Sequence, residues 1–309
     1  MIPSKITSQG WLAFELNVLR RLEFASAALP FTGEPNLGAY LKRRSVRVMA
    51  NDLTQSAFVK AVAVIQNNGE LLSDEDANIV LEDAYVPRYR LQNPALRNWF
   101  NETDAWWFDN VRQNIERLPS VFSKAIAMTI ALRAGDYLLS FTEDTRELRQ
   151  PLSTVFHRLR QSFPAPVNNG QNNVCHNKNV IDFIAETRTD LMFLRLPRAH
   201  NLSLRNALGW TAWQEEWLQA GDGFWTDFEA TQTGRLGTHV ETKNQYLRLV
   251  EDLLKTASHI EKWAITHSED GFISTHELVE AINRVRHVDT IFTKDFSELM
   301  GTKAVIITA

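Results

Sequence analysis

The residues of this chain that could do chemistry lie in three short segments. In "FTGEP", Gly33 lies in a turn after the apolar run "SAAL", and Asp52 follows 19 residues later, at the end of "VRVMAND". An acidic residue about 20 residues after a glycine turn commonly binds the ribose hydroxyls of a nucleotide cofactor. In the third segment, "DLMFLRLPR", an apolar run that resembles a buried strand is followed by Arg195 and Arg198. An enzyme usually carries its acid or its nucleophile at the end of such a strand.

Metal chemistry is not predicted. The chain has one cysteine, Cys175, so it has neither an internal disulfide nor a cysteine-based zinc site. None of its eight histidines stands at metal-ligand spacing with a carboxylate.

The composition is that of an ordinary globular protein. Of the 309 residues, 44% are apolar and 23% are charged, and the net charge of −4 gives no general sign of nucleic-acid binding. No run reaches the roughly 18 apolar residues of a membrane span. The start, "MIPSKITSQG", lacks the apolar core of a secretion signal, so we expect a cytoplasmic protein without a membrane contact. Most of the nine tryptophans fall in two clusters, for which core packing is the simpler interpretation.

Strands and helices alternate at both ends of the chain. The first 68 residues predict a parallel sheet with crossover helices. The predicted elements are helix 12–24, strand 26–33, a helix from "NLGAYLKRR", strand 46–53 and helix 54–68, with Thr54 as N-cap. The pattern resumes with the helix "NVIDFIAE" and the strand "DLMFLRLP". It ends with helix 245–260, the strand "EKWAITHS", a helix opened by a capping box from Ser274 to Glu277, and the strand "KAVIITA".

Two stretches interrupt this pattern. Residues 70–165 are rich in helix signals and show no clear strand, and residues 200–245 have weak periodicity and many Gly, Thr and Asn residues. The sequence therefore predicts an α/β domain of residues 1–69 and 166–309 with a helical insertion at 70–165. Residues 200–245 are predicted to form a loop-rich excursion of the α/β domain, like a target-recognition segment.

Several segments, in order, resemble the Dam-like class of bacterial adenine-specific DNA methyltransferases. "IPSK" is similar to the family's N-terminal "GSK", and "PFTGEPNLGAYLKRRSVRVMANDL" to its cofactor segment. "NVIDFI" resembles the helix before the catalytic strand, and "DLMFLRLPR" falls on the family's "DLVYIDPPY". The resemblance implies a Rossmann-like methyltransferase sheet with a helical insertion. It also implies a cofactor site for S-adenosylmethionine, whose positions here are Lys5, Phe31, Gly33, Asp52 and Asn179.

The catalytic motif departs from the family. The family's Asp and Tyr grip the flipped adenine, and the Asp and the first Pro carbonyl accept hydrogen bonds from its amine. Those four positions are Arg195, Leu196, Pro197 and Arg198, so only Pro197 matches. A guanidinium has five donors and no acceptor, so it cannot replace the Asp. We therefore expect no catalytic residue in this chain.

The cofactor turn is degenerate as well. Leu29 replaces an acid, Glu34 adds a negative charge where the donor's carboxylate would lie, and Pro35 replaces a glycine and has no N–H to donate. Asn179 replaces another acid, so the cofactor positions are vestigial and no cofactor is expected.

These losses predict a pseudoenzyme that is a DNA-binding or scaffolding subunit of a DNA modification, restriction or phage-defence system. DNA would contact five basic residues, with protein partners such as an intact methyltransferase or a nuclease. The five are Arg195, Arg198, Lys42, Arg43 and Arg44. Two alternatives remain open: an active DNA adenine methyltransferase with an atypical motif, which would bind S-adenosylmethionine, and a protein-interaction module that binds no nucleic acid.

Overall fold

A computed structural model describes residues 5–269 and 272–309, and for residues 5–10, 143, 299 and 300 it describes the backbone only. The chain forms two compact units. The α/β unit comprises Met1–Leu53, Asn169–Ser203 and Gln232–Ala309, and the helical unit comprises Thr54–Asn168 and Leu204–Thr231.

The α/β unit is built on a seven-stranded sheet of order β3-β2-β1-β4-β5-β7-β6. Strands β1 to β5 are parallel, and β7 runs antiparallel between β5 and β6. The strands are β1 Ser26–Leu29, β2 Arg47–Asn51, β3 Val174–His176, β4 Leu191–Arg195, β5 Lys262–Ser268, β6 Thr290–Asp295 and β7 Lys303–Thr308. This arrangement confirms the predicted α/β class with a Rossmann-like methyltransferase sheet.

Helices connect these strands and cover the sheet. The helices of this unit are α1 Lys5–Leu19, α2 Asn36–Arg43, α8 Val180–Glu186, α12 Lys243–Thr256, a 3₁₀ turn Ala257–His259, α13 Thr275–Asn283 and α14 Ser297–Met300. The predicted capping box of α13 is confirmed, because the Glu277 N–H donates to Ser274 Oγ at 3.2 Å and the Ser274 N–H donates to Glu277 Oε2 at 2.7 Å. Central strands β1 and β4 are buried along their lengths, apart from Arg195.

The helical unit has no strand among residues 54–168. Its α-helices are α3 Gln55–Ala61, α4 Asp74–Leu81, α5 Glu102–Ile115, α6 Val121–Leu139, α7 Leu152–Gln161, α9 Leu204–Leu208, α10 Ala212–Leu218 and α11 Trp225–Gln232. A π-helix spans Val62–Gln66, and 3₁₀ turns span Pro94–Asn98, Glu143–Leu148 and Gly209–Thr211. Its core is aromatic: the rings of Phe108, Trp213 and Trp217 contact one another with centroids 5.4 to 6.4 Å apart.

The structure differs from the expected boundaries. The helical unit begins at Thr54 rather than at residue 70, and the segment expected to be loop-rich carries α9, α10 and α11, which join the helical unit. The reason is visible at the N-terminus of α3. The Thr54 side chain makes no capping hydrogen bond. Instead, the carboxylate of buried Glu215, on α10, accepts the N–H groups of Gln55 and Ser56, both at 2.8 Å.

Candidate site at the tip of β4

The side chain of Arg195, the last residue of β4, forms a forked ion pair with Glu15 of α1. Arg195 Nε donates to Glu15 Oε1 at 2.8 Å, and Nη2 donates to Oε2 at 2.7 Å. Glu15 is fully buried, whereas the Arg195 side chain is 27% exposed. The remaining nitrogen, Nη1, donates to the backbone carbonyl of Thr32 at 3.1 Å. Arg195 therefore links α1, the turn after β1 and the end of β4.

Glu15 did not emerge from the sequence as a site residue, although a signal for it exists. It stands inside the apolar helix segment "LAFELNVL", with Trp11 four residues before it and Val18 and Leu19 three and four residues after it. Residues at these spacings share one helix face, so the carboxylate had to enter the interior. A buried carboxylate is costly without a partner, and here Arg195 and the indole N–H of Trp11, at 3.0 Å, supply its hydrogen bonds.

The turn after β1 is closed by contacts within the α/β unit. Gly33 has φ of +54°, a left-handed conformation that favours glycine. Its N–H donates to Asp52 Oδ2 at 2.8 Å. The Thr32 N–H and hydroxyl both donate to the carbonyl of Asn51 at 3.0 Å. The structure thus brings Gly33 and Asp52 together as the sequence predicts, but one oxygen of Asp52 binds the turn itself.

The other motif positions surround a very small cavity. Leu196 and Pro197 are half-buried, Arg198 is exposed, and all three line a cavity of about 20 Å³ together with Tyr246. This volume holds about one water molecule and is far smaller than a purine requires. The Tyr246 hydroxyl donates to the carbonyl of Pro197 at 2.8 Å, so this carbonyl already has a donor.

Residues 236–240, which we call the covering segment, pack over this motif. Leu236 and Val240 are buried in the core cluster of the α/β unit, against which Phe31 and Leu196 pack. A Cβ placed on Gly237 would lie 3.4 Å from Pro197 Cγ and 3.7 Å from the Phe31 ring. The Val240 N–H donates to the carbonyl of His200 at 2.9 Å, which joins the covering segment to the residues after the motif.

Of the remaining predicted cofactor residues, Phe31 and Asn179 have structural partners. Phe31 is half-buried beside the covering segment. Asn179 caps α8, because its side-chain oxygen accepts the Ile181 N–H at 2.7 Å. Lys5 begins α1, but its side chain lies outside the described part of the structure.

The structure does not bring the five predicted DNA-contacting residues together. Lys42 is 1% exposed, and burial lowers the pKa of its ammonium to about 8, with nearby Cys175 acting in the opposite direction. Arg43 and Arg44 are exposed, but they lie at the end of α2, next to the start of β2. Because β2 and β4 run parallel, the start of β2 and the end of β4 lie at opposite ends of the strands. The three residues therefore do not extend a surface from Arg198.

Two further sequence inferences concern absences. Among the described residues, no group of three or more histidine, cysteine, aspartate or glutamate side chains could hold a metal ion. Within the same part of the chain, no helix combines the length and the apolar character needed to cross a membrane.

No family profile matches the chain. The chain is similar to the Type II methyltransferase M2.HphI of Haemophilus parahaemolyticus, with 21% identity over an alignment of 298 residues that covers 89% of this chain and 84% of that protein. The chain is therefore a methyltransferase-like protein, with a Rossmann-like α/β unit and a helical unit.

Proposed function

We propose that this protein is a catalytically inactive homologue of a DNA adenine methyltransferase. It would act as a DNA-binding or scaffolding subunit of a DNA modification, restriction or phage-defence system. The observation that carries the proposal is the forked pair of Arg195 with Glu15, since Arg195 occupies the position that the resemblance assigns to the catalytic acid.

The pair removes the acceptor that the reaction requires. Methyl transfer to an exocyclic amine is assisted by an oxygen that accepts a hydrogen bond from this amine, and a guanidinium has no such atom. Glu15 cannot substitute, because both of its oxygens are bound by Arg195 and its side chain is fully buried. Losing a preorganised group of this kind costs about 3–4 kcal/mol, or two to three decades in rate.

The space around the motif supports the same conclusion. A cavity of about 20 Å³ beside Leu196, Pro197 and Arg198 leaves no room for a flipped base. The covering segment packs on Pro197 and Phe31 and belongs to the apolar core of the α/β unit, so moving it away would expose Leu236 and Val240 to water.

The cofactor turn also fits S-adenosylmethionine poorly. Pro35 has no N–H to donate, and the Gly33 N–H already donates to Asp52. The Thr32 carbonyl already accepts a hydrogen bond from Arg195. If the donor did bind, it would supply an electrophilic methyl group. The turn would then present the exposed carboxylate of Glu34 to the donor, and Asp52 would have to hold the donor while accepting the Gly33 N–H.

A methyl-transfer assay tests the absence of activity. The protein is incubated with tritiated S-adenosylmethionine and mixed-sequence DNA, and the Haemophilus enzyme serves as the positive control. We expect incorporation no higher than in a reaction without protein. Incorporation well above that level would contradict the proposal and support an active methyltransferase with an atypical motif.

A further inference from the structure

The helical unit carries an exposed loop with the chemistry of a nucleic-acid contact. Residues 85–90, "YVPRYR", are all exposed, although the residue on each side of them is buried. At the tip of this loop stand Arg88, Tyr89 and Arg90, and the Tyr89 side chain is fully accessible, at 101%. We call residues 85–90 the Arg-Tyr-Arg loop.

Two buried asparagines of α5 hold the chain that leads into this loop. Asn114 donates to two backbone carbonyl oxygens of residues 80–82, at 2.7 and 3.1 Å. Asn110, which is fully buried, donates at 2.9 to 3.2 Å to the carbonyl oxygens of Asp83, Ala84 and Val86. The side-chain oxygen of Asn110 accepts no hydrogen bond from any described residue. Burying an oxygen without a hydrogen bond costs free energy. The three hydrogen bonds that the Asn110 side-chain NH₂ donates to the loop offset this cost.

The other end of the loop is held in the same way. The carboxylate of buried Asp109 accepts the N–H groups of Gln92 and Asn93, both at 2.9 Å. Within the loop, the Tyr85 hydroxyl accepts the Leu152 N–H at 2.7 Å. Buried polar side chains thus preorganise both ends, while the tip contributes little to the core of the unit.

The charge of the tip is not neutralised. Arg88 donates one hydrogen bond to Gln113, at 2.6 Å, but within residues 5–269 and 272–309 neither Arg88 nor Arg90 forms an ion pair. Six other arginines of the helical unit pair with carboxylates. These are Arg97, Arg112, Arg117, Arg149, Arg160 and Arg205. Residues 84–92 contain no acidic residue, so the loop presents two free positive charges around one aromatic ring.

We propose that the Arg-Tyr-Arg loop contacts DNA, with Arg88 and Arg90 on phosphates and Tyr89 stacked on a base or a sugar. Guanidinium groups match phosphate geometry, and aromatic rings stack on any base, so a preorganised loop of this kind binds with little sequence preference. The inference rests on the proposed function, which makes DNA the partner. It assigns the contact to the helical unit rather than to Arg195, whose guanidinium is bound by Glu15.

Fluorescence anisotropy with labelled duplex and single-stranded DNA, over a salt series, tests this contact. The variants are Tyr89→Ala and Arg88→Ala/Arg90→Ala. The matched control is Arg146→Ala/Arg158→Ala, which removes two charges from exposed arginines of the same unit that form no ion pair with any described residue. All three change exposed residues, so their unfolding midpoints should match that of the wild type.

We expect Tyr89→Ala to weaken binding about fivefold or more. The double loop variant should bind more weakly and reduce the slope of log affinity against log salt by about two on duplex DNA. The control should bind like the wild type. If the wild type binds DNA and the loop variants bind equally well, the loop assignment is wrong and the DNA-binding function stands. If the wild type binds no DNA, both are wrong.

Discussion

At the scale of single residues, the ion pair of Arg195 and Glu15 determines what the tip of β4 can do. A buried charge pair contributes little net stability over apolar residues of the same size, but breaking one partner away is costly. The pair therefore gives Arg195 a structural role at the end of β4. Its partner is a carboxylate that α1 cannot expose to water.

We expect Arg195→Ala to lower the free energy of unfolding by about 3–5 kcal/mol, because the Glu15 carboxylate would stay buried without its partner. Urea unfolding monitored by tryptophan fluorescence measures this change. Arg198→Ala, at an exposed position of the same motif, is the control and should change stability by about 0.5 kcal/mol or less.

The double variant Glu15→Leu/Arg195→Leu separates the charge from the packing. It should recover most of the stability that Arg195→Ala loses, since neither charge remains. Equal stability of Arg195→Ala and Arg198→Ala would show that the pair has no structural role.

At the scale of elements, α6 and α10 of the helical unit meet at a position that only glycine fits. A Cβ on Gly135 of α6 would lie 2.2 Å from Cη2 of the Trp213 ring on α10. Trp213 is fully buried and also contacts Phe100 and Phe108 at centroid distances of 5.3 and 5.4 Å. The ring has no room to retreat, so the fit is sensitive to a single methyl group.

Gly135→Ala should therefore destabilise the protein by about 1–3 kcal/mol, although alanine favours helix more than glycine does. Chemical denaturation gives the value. Gly223→Ala is the matched control, because a Cβ there would meet no atom within 4 Å. If both variants unfold at the same denaturant concentration, the packing argument fails.

At the scale of the whole molecule, ligand binding and stability are linked, which gives a measure of cofactor binding that needs no activity. A ligand that binds only the folded state stabilises it by about 2.7 kcal/mol at 100 times its dissociation constant. In the turn after β1 the Gly33 N–H donates to Asp52, so we expect this turn to offer few groups to S-adenosylmethionine.

We expect millimolar S-adenosylmethionine to leave the thermal unfolding midpoint unchanged, with no saturable heat in calorimetry. The Haemophilus enzyme is the comparison protein in both measurements. A micromolar dissociation constant for this chain would show that Asp52 still takes part in a working cofactor site.

Element types were largely predictable from the sequence, and two strands show why the remainder was not. β6 is exposed along almost its whole length, so its sequence carries no alternation of apolar and polar residues. β3 has three residues, too few for a periodic signal. The helices at 204–231 were missed although Trp213 and Trp217 stand at helical spacing, because the helices are short and the polar residues of α10 are buried together with its apolar ones.

The sequence by itself determined the α/β class, the order of the motifs along the chain and the chemical identity of the residues at the tip of β4. Those follow from apolar periodicity and from residue types, which are local properties. Only the tertiary structure decided that Arg195 binds Glu15, 180 residues away, that Lys42 is buried, and that the covering segment fills the space beside the motif. Contacts between distant segments depend on how the elements pack, and no local pattern records them.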